Sequence, residues 1–153
     1  MQRMEHACHC SCGKSAFRIA GTALTRFVCH CTICQDYTGD SYSDVVALWS
    51  GAVSLPINFP VTFKKYRPPP NVNRGQCQHC AKPVVEFMAI APFVRLAFVP
   101  VVNIRDSQIL PQRSAHIFYD RRVKNIDDSI PKFCGYWSSE LAVTRLIIEG
   151  MFH

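Results

Sequence analysis

Cys29-His30-Cys31-Thr32-Ile33-Cys34 places three thiols within six residues. Upstream stands Cys10-Ser11-Cys12 and downstream Cys77-Gln78-His79-Cys80, so seven of the nine cysteines fall into three tight clusters. Thiols at such spacings are metal ligands. A C-x-C pair on an extended strand turns both sulfurs to one face, because strand side chains alternate with period two. A C-x-x-C pair in a tight turn converges two sulfurs on one point, and two pairs complete the tetrahedral sulfur shell that zinc takes in structural sites. Seven ligands divide as four plus three. We group Cys10, Cys12, Cys77 and Cys80 as a structural site that clamps the N-terminal strand to the middle of the chain, and Cys29, Cys31 and Cys34 as a site with an open coordination position.

Outward from the clusters, the chain reads as mainly β. Strand-like segments run over 15–19, 25–29, 42–49, 61–66, 84–88, 95–102 and 115–119, separated by turn signals at Gly51, Pro56 and Pro60. Their order suggests an antiparallel arrangement. The stretch Pro68-Pro69-Pro70-Asn71-Val72-Asn73-Arg74-Gly75 reads as a loop bordering the site. Residues 32–39 form a short helical turn with Thr32 as N-cap and Gly39 as stop, its positive end toward the thiolates. A longer helix is expected over 138–151, with Val143, Leu146, Ile147 and Gly150 on the face that docks on the domain.

The whole chain, residues 1–153, is expected to be one domain, with 48% hydrophobic and 18% charged residues. The start lacks an apolar segment of the signal-peptide type, and the apolar stretch 90–102 is interrupted by Arg95 and too short to span a bilayer. A soluble, cytoplasmic protein without a membrane partner is expected. Reducing conditions there argue against disulfides, as does the odd cysteine count. Seven thiolates and two zinc ions would bring the formal charge from +6 to about +3. The cations are scattered, so nucleic acid is not expected as a partner.

Candidates for a fourth ligand at the middle site are Cys134, Cys8 and the histidines. Cys134 reads as a small buried hydrophobe and Cys8 as a bystander. His30, on an extended stretch, turns its ring away from the metal, and His116 reads as a satisfied, partly buried histidine. Three thiolates make zinc a weak Lewis acid, better suited to holding an incoming thiol as thiolate than to making hydroxide.

The ordered motifs C-x-C-G (Cys10, Cys12, Gly13), C-H-C-x-x-C (Cys29, His30, Cys31, Cys34) with Thr38-Gly39, and C-x-x-C (Cys77, Cys80) resemble the glutathione-dependent formaldehyde-activating enzyme family, also called the centromere protein V-like domain. Ala115-His116-Ile117-Phe118 and residues 127–133 resemble its C-terminal pattern. The resemblance implies the Mss4-like fold, small curled antiparallel sheets held by zinc with the C-terminal helix added. It also implies a structural zinc on Cys10, Cys12, Cys77 and Cys80 and a catalytic zinc on Cys29, Cys31 and Cys34. The implied activity is addition of a thiol, glutathione or similar, to formaldehyde or a related small aldehyde, giving S-(hydroxymethyl)glutathione in the family's case and classed in reverse as carbon–sulfur lysis. Where the family has glycine after the last cysteine this chain has Ala81, which suggests a slightly different turn. The alternatives left open are a zinc-stabilised module that binds nucleic acid or protein, and a redox or metal-handling protein. The oligomeric state is open, with a homo-oligomer among the options.

Overall fold

The computed structural model describes residues 4–66 and 72–152. Strands β1 (Glu5–His9), β2 (Ala16–Ala20) and β5 (Val53–Ser54) form a three-stranded sheet in the order β1-β2-β5. In β2 the alternation is regular: Phe17 and Ile19 are buried while Ala16 and Arg18 face water.

A second sheet has seven strands. These are β3 (Thr25–Cys29), β4 (Ser43–Trp49), β6 (Val61–Lys65), β7 (Val72–Cys77), β8 (Pro83–Ala91), β9 (Val94–Pro100) and β10 (His116–Ile117), ordered β10-β3-β4-β9-β8-β7-β6. Val45, Val46, Ala47 and Leu48 of β4 are all buried, as expected of a strand covered on both sides. Period two then splits them. Val46 and Leu48 join Phe17, Ile19, Val84, Val85 and Val99 in one core. Val45 and Ala47 join Phe27, Leu96, Phe98, Ile117, Ala142 and Ile147 in another. Cys10 and Cys77 belong to the first core and Cys29 and Cys34 to the second, so the sheet separates the four-cysteine group from the three-cysteine group.

Helix α1 (Thr32–Thr38) follows β3, and helix α2 (Tyr136–Met151) closes the described chain. The inward face of α2 is the expected one, with Ile147 buried and Val143 and Leu146 packed on the second core. Gly150 lets the helix approach Leu24, whose carbonyl a Cβ at this position would strike. Among the described residues, no helix is long and apolar enough to cross a membrane.

Several expectations need correction. Cys10-Ser11-Cys12 is a turn after β1, not a strand, and its sulfurs converge because Gly13, at φ 80, lets the chain double back. Thr32 is not the N-cap of α1; Cys31 is, its Sγ accepting from the Cys34 amide at 3.3 Å. Gly39 does end the helix, at φ 71. The segment 115–119 contributes only the two residues of β10, and these pair parallel to β3 rather than antiparallel. Helix α2 starts two residues before the expected position, after Gly135 at φ 83. Strands β5 and β7 were not anticipated, and the N-terminal strand expected to carry Cys10 and Cys12 stops before them, at His9. The expected loop 68–75 begins outside the described residues, and its remainder, from Val72, is already strand.

Candidate metal and thiol site

Cys10 and Cys12 leave β1, while Cys77 ends β7 and Cys80 lies in the turn to β8. The four sulfurs lie within 4.8 Å of one another, with Cys10 to Cys12 at 3.5 Å and Cys12 to Cys77 at 3.7 Å. A tetrahedral zinc with bonds of about 2.3 Å needs its sulfurs about 3.8 Å apart, so the donor set fits the ion. Backbone geometry supports the turn. The His79 amide donates to Cys77 Sγ at 3.4 Å and the Ala81 amide to the Cys77 carbonyl at 2.9 Å. Ala81 sits at φ 60, in the left-handed region that favours glycine, and the alanine bears the strain.

On the other face of the sheet, Cys29 ends β3, Cys31 caps α1 and Cys34 lies in its first turn. Their sulfurs also lie within 4.8 Å of one another, Cys29 and Cys31 at 3.3 Å. Hydrogen bonds from Cys29 and then Cys34 hold the Cys31 thiol far below its ordinary range. The same bonds push the thiols of Cys29, bonded to Cys31, and Cys34, bonded to Cys29 and Cys31, upward. Three crowded sulfurs thus concentrate one negative charge, which suits a soft divalent cation.

Among the described residues no fourth side chain joins this trio. Cys134 is exposed rather than buried as expected. Cys8 is buried in the first core, where burial pushes its thiol up to about 12. His30 does turn its ring away. It packs against Tyr42, Tyr119 and His116. Its Nε2 is hydrogen-bonded to His116 Nδ1 at 2.9 Å, and His116 Nε2 donates to Asp128 at 2.9 Å. His116 is wholly buried rather than partly, and its partners satisfy it. Burial and the neighbouring His116 lower His30 to about 4.

The trio opens onto a cavity of about 470 Å³, lined by residues of β3, β4, β7, β8, β9, β10 and α2. Two of its charged residues escaped the sequence reading. Arg74 on β7 and Glu86 on β8 are cross-strand partners, their side chains 12% and 7% exposed and Nε 3.9 Å from Oε1. That separation exceeds a hydrogen bond, and neither atom has another partner among the described residues. Burial raises Glu86 to about 7, opposed by Arg74 and aided by Cys31. The signal was present: a single acid inside the apolar run Val84-Val85-Glu86-Phe87-Met88 has to be buried or paired.

Two sulfur groups on opposite faces of a β-rich sheet, one with four donors and one with three facing a cavity, define a protein of cysteine clusters that could hold metal ions. The family model described as glutathione-dependent formaldehyde-activating enzyme matches residues 5–121, about three quarters of the chain, and the chain belongs to that family. No curated protein is similar enough to count as a relative.

Proposed function

We propose that the protein is a zinc-dependent, carbon–sulfur lyase-type enzyme that adds a thiol to formaldehyde or a related small aldehyde. What carries the reading is the contrast between the groups: four sulfurs suited to closing a shell, and three that face a cavity without a fourth side-chain donor among the described residues. Cys10, Cys12, Cys77 and Cys80 would hold a structural zinc, in the Mss4-like fold that the family resemblance implies. Cys29, Cys31 and Cys34 would hold the second, which when bound stabilises an incoming sulfur as thiolate. Such clusters suit a reducing, cytoplasmic setting.

The chain's own groups supply the rest. Glu86, poised near neutrality by its burial, takes up the proton that the incoming thiol gives up on becoming thiolate, and the thiolate sulfur then attacks the carbonyl carbon. The C–S bond forms, the carbonyl π pair moves to oxygen, and Glu86 returns the proton there. Run backward, the same transfers cleave the C–S bond. Arg74, beside Glu86, steadies the carboxylate between the two steps. The apolar walls exclude water from the reacting atoms.

Exchange spectroscopy by NMR tests the proposal, since thiol and formaldehyde interconvert with their adduct unaided and the enzyme must exceed that rate. Zinc-loaded protein is expected to speed exchange severalfold at catalytic concentration, and folded Cys31→Ser protein to lose the effect. Equal rates with and without wild-type protein, across simple thiols, would refute it.

A further inference from the structure

Single exposed apolar side chains are ordinary on a protein surface. Ile57 and Phe93 are of that kind, standing on separate turns. Helix α2 differs. Trp137, Leu141, Ile148 and, at its C-cap, Phe152 are 75%, 67%, 48% and 83% exposed, and at 3.6 residues per turn they lie within about 60° of arc. None of them lines the cavity over the cysteines. The helix thus carries a second apolar stripe, on the side away from Val143, Leu146 and Ile147, which pack on the second core.

Size and spacing say what would cover this stripe. With about 200 Å² for each aromatic ring and somewhat less for each aliphatic chain, the four residues offer about 500 Å² per copy. Patches of that extent mark interaction sites. Two such stripes face to face would cover about 1,000 Å², the lower limit for a specific interface, and Ser138, Thr144 and the Arg145 stem at the margins would raise the total. The spacing is palindromic. Its gaps run four, seven and four, so the stripe reads alike from either end. Reversed against itself about a two-fold axis between Thr144 and Arg145, it sets Trp137 against the partner subunit's Phe152 and Leu141 against the partner subunit's Ile148. Aromatic then meets aromatic and aliphatic meets aliphatic. The small Thr144 at the crossing permits close approach of the helices. Arg145 and Glu149 beside the stripe are paired at 2.8 Å, so together they bring no net charge to the axis, whereas a helix that lies on a membrane is rimmed with cations.

We propose that the protein forms a two-fold symmetric homodimer joined through α2, its two copies of the helix antiparallel. The pairing does not depend on the proposed reaction, yet it bears on the same site, because Tyr136 and Val143 of α2 wall the cavity. Each copy would brace that wall of its partner from outside. An interface of this extent, with no other contact added, gives dissociation in about the micromolar range.

Sedimentation equilibrium of the full chain from about 1 to 100 µM tests the proposal. The mass is expected to rise with concentration to twice the 17.3 kDa of one chain. Leu141→Glu sets a carboxylate against apolar side chains twice per dimer and should raise the dissociation constant at least about 100-fold. Phe93→Glu, off the stripe, should leave it unchanged. Both positions are exposed, so neither variant should alter the circular dichroism spectrum. Leu141→Glu combined with Ile148→Lys tests the register: antiparallel helices pair each new carboxylate with a new ammonium, and at low salt should recover about tenfold or more of the lost affinity. Parallel helices would set like charge against like, and absence of recovery would overturn the antiparallel arrangement. A dimer that Leu141→Glu leaves intact would overturn the interface. A mass of one chain at every concentration would overturn the dimer, and sedimentation of that monomer with phosphatidylcholine vesicles would assign the stripe to a membrane surface instead.

Discussion

His116 and His30 meet at 2.9 Å, ring nitrogen to ring nitrogen, and this contact ties β10 to the residue between two of the clustered cysteines. Asp128, held well below the usual carboxylate range by Lys132 and then His116, can only accept, so His116 Nε2 carries the proton. His116 Nδ1 and His30 Nε2 share the next hydrogen bond, and the buried His30 Nδ1 has no partner among the described residues. His116→Ala removes a wholly buried ring and strands a second polar atom on His30. The expected cost is about 3 kcal/mol in urea unfolding, together with faster loss to chelator of one metal equivalent than of the other. Equal loss of both would show that this chain of rings does not support the middle cluster.

Glu86 makes a pH prediction. Its carboxyl is raised from 4.5 to about 7 in the folded protein. The stability it contributes is therefore complete below pH 4.5 and is lost as pH rises through 7, because the folded state binds this proton more tightly. Glu86→Gln cannot titrate. The difference in unfolding free energy between wild type and E86Q should change by about 2 kcal/mol between pH 5.5 and 8, the wild type losing ground at the alkaline end. Parallel pH profiles would contradict the assignment.

Metal removal should not act uniformly. The four-cysteine group joins Cys10 and Cys12 to Cys77 and Cys80 across 65 residues, so its loss frees a long loop. Cys77→Ser is expected to lower the midpoint of thermal unfolding by 10 °C or more, several kcal/mol at this chain length, and Cys31→Ser by clearly less. The reverse order, read by circular dichroism, would exchange the roles assigned to the groups.

Ala81 holds a left-handed conformation at φ 60. Ala81→Gly should stabilise the protein by about 1 kcal/mol without changing metal content. A destabilised variant would mean that the alanine methyl makes contacts outweighing its strain.

Gly150 predicts the opposite sign. Its missing side chain is what lets α2 rest against the Leu24 carbonyl, and backbone cannot move aside as a flexible side chain can. Gly150→Ala should cost about 3 kcal/mol despite alanine's better helix propensity. A neutral result in denaturant titration would show that the helix end can shift.

The grouping of sulfurs was legible because ligand spacing is local chemistry: Cys29, Cys31 and Cys34 need only one turn of chain to converge. The central strands were legible from their apolar residues, and the docked face of α2 from Val143, Leu146 and Ile147. Strand β7 was hidden because Asn73, Arg74, Gly75 and Gln76 carry no apolar alternation, and its pairing with β6 and β8 is a tertiary decision. The N-cap of α1 was misassigned to Thr32 because a thiol is not among the usual capping groups; at Cys31 the sulfur accepts from the Cys34 amide all the same. The Arg74–Glu86 pair required knowing which residues of β7 and β8 lie opposite each other. That register is not written in either segment alone.

Helix α2 bears on how such a protein could change. Gly135, Tyr136, Glu140 and Val143 wall the cavity, yet they lie beyond residue 121, where the family match ends. The clustered cysteines and the Arg74–Glu86 pair lie inside the matched stretch. The sulfur groups and this part of the cavity wall are therefore carried on different lengths of polypeptide. A replaced C-terminal helix could retune which molecule reaches the sulfurs without disturbing a single one of them.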